Sequence, residues 1–490
     1  MSGADGQHSR PKPESRPSPM FSEEVQALHG ELSAAAVAFL KFAERTPETF
    51  AQHRFKKFEE SPLMYYELHR WPILIDQRRN RQLEEVSVKL SRLVKRGPRL
   101  LLGGEPARIA EYFGLSAERA RVVVEALSLT DDARGMLSRG DFIDSADGFK
   151  CLEINMMAGL GGWETSLKAQ VVMDQPVLQR FASEQGLRIQ LQDTLKAFLS
   201  HVIDDVRRTV PWEGECNLAV LFPDNELPDP MGVEMATLLL NTTFTELLEA
   251  QGARGEVLIG TYGEVEDAPG GRFTMRGRRL HAVQEHDARE RMEVVGPAFD
   301  ARVRAALAAR TLCLYNGPAQ EVLDDKLNIA LLSENEDAPA LSPEERELIR
   351  RHIPWTRRLL RTHTTRGGER VWLPDQATAS KRDGLVLKAG RAYGGKSVLI
   401  GRSMTAEAWD EAVQQALATG GWILQERVEP RPYHFMRDDG TAGPHILIWG
   451  SFVFGERYGG TMVRMNPMGQ GKDVVNATQG ALMAALVLVE

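Results

Sequence analysis

Apolar residues change their spacing several times along the chain, and each change marks a different kind of element. Val25, Leu28, Leu32, Phe39 and Leu40 recur at helical intervals behind Ser22. That serine is placed to cap a helix with Glu23 and Glu24 in its first turn, running to about Glu44. Leu83, Val86, Leu90 and Leu93 form one face of a second helix, expected over residues 80–96 and stopped by Gly97-Pro98. Ser116 opens a third, ending near Leu127. The spacing then tightens to alternation. Phe142 and Ile143 read as a short strand, residues 144–148 as turn chemistry, and residues 149–156 as a second strand. Helical spacing returns over residues 165–208. Next come the continuous apolar runs 217–222, 256–260 and 311–315, with a helix over 231–251 between the first two. That strand–helix–strand order predicts an open α/β unit, with ligand-binding loops at the strand carboxyl ends. Gly270-Gly271 through Leu280 reads as a small hairpin within it.

The C-terminal third alternates strands with helices. A helix through Asp325-Lys326 and a polar segment lead to a charged helix starting near Ser342, whose end carries Arg357, Arg358, Arg361, His363 and Arg366. Such a cluster either holds an anion or forms a solvated face. Strands are expected over 384–390, 398–401 and 422–426. Ser403 is placed to cap the intervening helix, and Gly420-Gly421 stops it. The fold class expected is α/β in the α+β sense, with a helical region at the N-terminus.

Composition narrows the function classes. The chain has 490 residues and a net charge of −8, which predicts a multi-domain globular protein and argues against nucleic acid as a partner. Cys151, Cys216 and Cys313 lie far apart without CxxC spacing, so buried thiols in a reducing compartment are expected. No apolar run reaches membrane-spanning length. Residues 1–20 are rich in Ser, Pro and charge, the composition of a disordered tail without the apolar core of a signal peptide. The location expected is cytoplasmic, with no membrane partner.

Two stretches carry candidate chemistry. In the hairpin, Glu153 and Asn155 share one face of the second strand and Leu152 and Ile154 the other. A three-residue loop Ala146-Asp147-Gly148, with Gly148 at positive φ, sets Asp141 opposite Glu153; the loop must then have odd length. Two carboxylates and an amide oxygen would meet there, all hard ligands suited to Mg²⁺. A two-residue Asp-Gly turn instead places Phe142 opposite Glu153 and leaves a solvated edge. The hairpin alone leaves both readings open. The second stretch is Gly390–Ser397, which fits GxxxxGK[ST]. A P-loop needs a helix starting at Lys396-Ser397, yet Val398-Leu-Ile-Gly401 prefers a strand. The loop is therefore expected to join two antiparallel strands, as a lid whose N–H groups and whose neighbour Lys388 contact phosphate.

The order Asp325-Lys326, Leu385-Val-Leu-Lys388, glycine-rich loop, helix and Ile423-Leu-Gln-Glu-Arg-Val428 resembles the ATP-binding half of the ATP-grasp superfamily. Asp147-Gly-Phe-Lys-Cys-Leu-Glu-Ile-Asn155 is similar to its metal-binding signature, which normally follows the nucleotide half. Here it precedes it, the order of the circularly permuted ATP-grasp proteins, including the glutathionylspermidine-synthetase-like group. Asn316-Gly-Pro318 resembles the exit of a Rossmann-like pre-ATP-grasp domain. The resemblance covers residues 139–162 and 215–490. It departs at Ala389, where proline is common, and at Met156-Met-Ala-Gly159, where Thr/x-Pro-Gly is usual. The second departure leaves the acceptor open.

The resemblance implies a division into a tail (1–20), a helical scaffold (21–138), permuted metal-binding strands with helices (139–214), a pre-ATP-grasp α/β domain (215–317) and a nucleotide-binding domain (318–490) with its lid within 385–430. It implies that Asp141, Glu153 and Asn155 hold one or two Mg²⁺, with Mn²⁺ a substitute. ATP would be held by Lys326, Lys388 and the lid residues Tyr393, Gly394, Gly395, Lys396 and Ser397, with Gln425, Glu426 and Val428 at the adenine hinge. Arg139 and Arg464 would offset charge during phosphoryl and acyl transfer, and Asn476 would assist. The implied activity is an ATP-dependent carboxylate–amine ligase acting through an acyl phosphate on small-molecule or peptide substrates. Peptide or amide formation is expected, because no Cys/His pair marks a fused amidase. The alternatives are a catalytically degenerate ATP-grasp protein that binds nucleotide or a partner and, if a helix starts at Lys396, a P-loop ATPase. A homodimer is the default assembly.

Overall fold

The largest sheet is built from both ends of the chain. In the computed structural model its strands run in the spatial order Leu68–Asp76, Leu482–Val489, Arg457–Pro467, Ala442–Phe454, Leu137–Ser145 and Gly148–Asn155. The structure describes residues 21–46, 67–129, 136–157, 159–162, 165–286, 295–392, 397–437, 441–469, 474–476 and 480–490. The expected tail, residues 1–20, lies outside them. Neighbours along the sheet are antiparallel except the first pair, which is parallel. The N-terminal region is therefore not a purely helical scaffold, because Leu68–Asp76 supplies a strand of this sheet. Trp71, Ile73, Leu74 and Ile75 are all buried, so the strand has no polar face and no alternation to announce it.

Two helical boundaries also differ from expectation. The first helix divides into Glu23–Gly30 and Ala34–Arg45, because Ser33 caps the second and donates to the Leu74 carbonyl at 2.8 Å. The long helix Gln77–Leu102 carries Pro98 inside it and ends at Gly103, φ +72°. Its last turn packs Leu102 with Ile109, Tyr112 and Leu331, and that burial outweighs the N–H lost at the proline.

Alternation sorts the sheet's two faces. Phe142, Cys151, Ile154, Trp449, Val463 and Met465 point to the face covered by the N-terminal helices. Ile143, Ile446 and Ile448 point the other way, clustered with Val475. Opposite this second face stands an antiparallel sheet ordered Thr356–Arg358, Trp422–Glu426, Leu385–Ala389, Val398–Ile400. The residues after the glycine-rich loop thus form a strand. A helix begins only at Ala406, capped by Thr405 and not by Ser403, so the condition for a P-loop is not met.

The α/β unit matches its reading. Strands Cys313–Leu314, Ala282–Glu285, Leu218–Phe222 and Val257–Thr261 are parallel in that order. Helices Pro230–Glu249 and Pro297–Ala308 pack on opposite faces of it. The arginine cluster is not the end of a helix. The charged helix is Pro343–His352, and Arg357 and Arg358 lie on a strand. Arg357 donates to the Ser333 and Thr365 carbonyls and to Thr364, and Arg358 pairs with Glu334. Those partners leave the pair no role as an anion site. Cys151, Cys216 and Cys313 are buried free thiols. Among the described residues no helix is long and apolar enough to cross a membrane.

Candidate functional site

Asp141 does stand opposite Glu153, but a β-bulge and not an odd loop puts it there. Ser145 pairs with Gly148 across the two-residue turn Ala146-Asp147, with Gly148 at φ +89° as expected. That register alone would set Asp141 opposite Leu152. The register shifts between Asp141 and Phe142, leaving Leu152 as the extra residue, and Asp141 meets Glu153 and Arg139 meets Asn155. The expected requirement for a loop of odd length is thereby overturned, since a bulge changes parity as effectively as a loop residue.

Charge at this face is dominated by cations. Asp141 is buried between two guanidiniums, with Oδ1 3.1 Å from Arg139 Nε and Oδ2 2.8 Å from Arg464. Burial raises its pKa, but Arg139 and Arg464 outweigh that and hold it at about 2. Gly450 makes the room: a Cβ there would come 3.1 Å from Arg139 Cδ and 3.4 Å from Asp141 Oδ1. Arg139 also donates to the Gly161 carbonyl at 2.9 Å. Lys326 Nζ lies 3.7 Å from Glu153 and donates to the Ala392 carbonyl at 2.7 Å. Asn155 Nδ2 donates to the Arg139 carbonyl at 3.4 Å.

Lys388 reaches this face from the opposite sheet. It is buried, and its ammonium donates to Gln425 Oε1 at 2.8 Å and to the Leu152 carbonyl at 3.2 Å. Burial lowers its pKa, opposed chiefly by Glu153. The Gln425 side chain is buried too and holds Lys388, whereas Glu426, one residue on, is exposed. At the foot of the glycine-rich loop, Arg391 pairs with Asp325 at 3.0 Å. Burial raises the Asp325 pKa against the opposing effect of that partner.

Of these groups, Arg139, Asp141, Glu153, Asn155, Lys326, Lys388, Gln425, Glu426 and Arg464 line one cavity of about 270 Å³. Arg139, Asp141, Glu153, Asn155, Arg464 and Asn476 form one wall. Lys326, Lys388, Ser397, Gln425, Glu426 and Val428 form the other. Tyr393, Gly394, Gly395 and Lys396 lie outside the described residues. Sequence reading missed the apolar lining, in which Ile143, Val386, Ile400, Ile446, Ile448 and Val475 take part. The alternation of Ile446 and Ile448 with buried Leu447 and Trp449 was its available signature.

The lining carries six cations, Arg139, Lys326, Lys388, Arg402, Arg427 and Arg464, against three carboxylates, Asp141, Glu153 and Glu426. Among the described residues no group of three or more His, Cys, Asp and Glu side chains is placed to hold a metal, and the third member of the trio here is an amide. The surplus positive charge disfavours a bare divalent cation. It suits a polyanion that brings a cation with it, for which Glu153, Asn155 and the second lone pairs of Asp141 are the available donors.

The wall also depends on Gly159, whose Cβ would lie 1.9 Å from the His286 carbonyl of the α/β unit. Gly159→Ala is expected to displace the loop that holds Arg139 through Gly161, lowering stability by about 1–3 kcal/mol, read as a fall in thermal midpoint. Compared with known proteins, the chain matches no family model and no curated sequence.

Proposed function

We propose that the cavity binds ATP with Mg²⁺ and that the chain is a carboxylate–amine ligase of the ATP-grasp type, with its metal-binding hairpin ahead of the nucleotide half in sequence. One observation carries this reading. Residues 139–155 on the large sheet and 385–426 on the opposite sheet, distant in sequence, converge on a single cavity whose charges match a polyphosphate and whose remaining wall is apolar.

In this reading Lys388, Lys326 and Ser397 hold the phosphates, and the apolar lining between Val386 and Ile448 receives the base beside the segment from Glu426 to Val428. Mg²⁺ bound by Asp141, Glu153 and Asn155 would neutralise the β- and γ-phosphates. The substrate carboxylate attacks the γ-phosphorus, giving an acyl phosphate and ADP. The amine then attacks the acyl carbon, phosphate leaves, and the amine proton passes to solvent or base. Arg139 and Arg464 face the region where negative charge develops in both steps. The apolar lining keeps water from the acyl phosphate.

The test is ADP release over mixtures of amino acids, short peptides and polyamines. Turnover requiring both a carboxylate and an amine is the expected result. Nucleotide binding without turnover in any mixture would favour a second reading, a catalytically degenerate nucleotide-binding protein. The full pairing of Asp141 with two arginines is what gives that second reading its weight.

A further inference from the structure

The residue that the bulge adds to the hairpin has a second use. Leu152 has no partner in the hairpin register, and its carbonyl instead reaches across to the opposite sheet. It accepts from Lys388 Nζ at 3.2 Å and from Gln425 Nε2 at 3.3 Å. One backbone oxygen therefore joins the wall bearing Asp141 and Glu153 to the wall bearing Lys388.

The orientation of Gln425 is fixed from behind. Thr356, fully buried on the neighbouring strand, donates its hydroxyl proton to the Pro354 carbonyl at 2.7 Å. Its oxygen must then accept from Gln425, and Gln425 Nε2 lies 3.0 Å away. With the amide nitrogen committed to Thr356 and Leu152, the amide oxygen faces Lys388 at 2.8 Å. The flipped amide would set an NH₂ against an ammonium and turn its oxygen toward the Thr356 hydroxyl oxygen, whose one proton is already given to Pro354. The register brings these groups together, since Gln425 pairs with Thr356 on one side and Val386 on the other.

We propose that Thr356 and Gln425 are positioning residues that aim the Lys388 ammonium into the cavity, with Gln425 Nε2 keeping the Leu152 carbonyl satisfied when Lys388 turns to an anionic ligand. The proposal rests on the reading of this cavity as a nucleotide site. A buried carbonyl that lost its only donor would oppose nucleotide binding, because an unmet buried acceptor carries its full desolvation cost. A shared donor removes that opposition. The arrangement also favours the charged form of Lys388, against the burial that disfavours it.

The test uses the full chain carrying ¹³Cε-lysine, with the Lys388 resonance assigned by its loss in Lys388→Met. Gln425→Leu is expected to lower the Lys388 pKa by about one unit or more, since it deletes an acceptor of the ammonium. Thr356→Val is expected to lower it by less, and Thr356→Ser to restore it. Where turnover is measured, the alkaline limb of kcat/KM for ATP should move down in the same order, and Gln425→Leu should weaken Mg-ADP binding about tenfold. An unchanged Lys388 pKa in Thr356→Val and Gln425→Leu overturns the proposal, whether or not nucleotide binds. Should Gln425→Leu fail to fold, the Thr356→Val and Thr356→Ser pair still decides it. Wild-type protein that binds no Mg-ADP overturns the nucleotide reading instead, and leaves the lysine titration to judge the clamp alone.

Discussion

Glu153→Ala is expected to remove ADP release while leaving stability close to wild type, and Asp141→Ala is expected to lose both. The difference follows from burial. The Glu153 side chain is 23% exposed, and its cationic neighbour Lys326 stands 3.7 Å away. A partly solvated pair of that length contributes under about 1 kcal/mol. Its loss as a metal donor, by contrast, should reduce turnover at least about 100-fold. Asp141 is 5% exposed and holds two guanidiniums, one of them on a side chain only 4% exposed. Deleting its carboxylate leaves Arg139 and Arg464 confronting each other without an anion, at a cost of about 3–5 kcal/mol. The check is a urea titration beside the ADP assay. Undiminished turnover in Glu153→Ala would remove the metal assignment, and an unshifted urea midpoint in Asp141→Ala would contradict the buried triad.

The same triad shows where sequence reading succeeds and where it stops. Strand parity fixes that Glu153 and Asn155 share a face, because alternation is a property of the local backbone. It does not fix which residue lies opposite, since turn length and bulges change the pairing without changing the pattern. Asp141 facing Glu153 is legible only with a compensation, a two-residue turn plus Leu152 set aside. Lys388 is legible for a related reason, an unpaired charge inside an apolar run that has to find an acceptor. The acceptor it finds, Gln425 with the Leu152 carbonyl, is set by sheet-to-sheet packing, which no window of sequence contains. The strand Leu68–Asp76 escaped recognition because burial on both faces erases periodicity. Pro98 misled because the tertiary packing of Leu102 outweighs a local breaker.

Acid is expected to unfold the protein well above the pH at which its carboxylates protonate, through histidines outside the candidate site. His29, His69 and His445 are buried around Phe435, with ring centroids 5.4, 6.0 and 5.6 Å from it. Each has a hydrogen-bonding role suited to neutral imidazole. His69 presents Nε2 to the Met436 carbonyl at 3.1 Å and accepts from the Trp71 N–H at Nδ1. His29 Nε2 accepts from the His434 N–H, and His445 Nδ1 meets the Gly443 carbonyl at 2.8 Å. Burial pushes the pKa of His29 and His69 down to about 4 and that of His445 to about 3, where His69 adds repulsion. Above the ordinary value of 6.5 both folded and unfolded forms are neutral, so these residues leave stability unchanged there. Between 6.5 and about 4 the unfolded chain binds protons that the folded one refuses, and stability falls as pH falls. Each histidine contributes about 1.4 kcal/mol per pH unit in that window, so the three together approach roughly 4 kcal/mol per unit, against a typical total of about 5–15 kcal/mol. Asp141 plays no part in this window, since its stabilisation is lost only as pH falls from the ordinary value of 3.8 toward about 2. Denaturant titrations from pH 7.5 to 4.5 should show the steep slope, and His445→Phe should flatten it by about one proton. An unchanged slope in that variant would place the acid sensitivity elsewhere in the molecule.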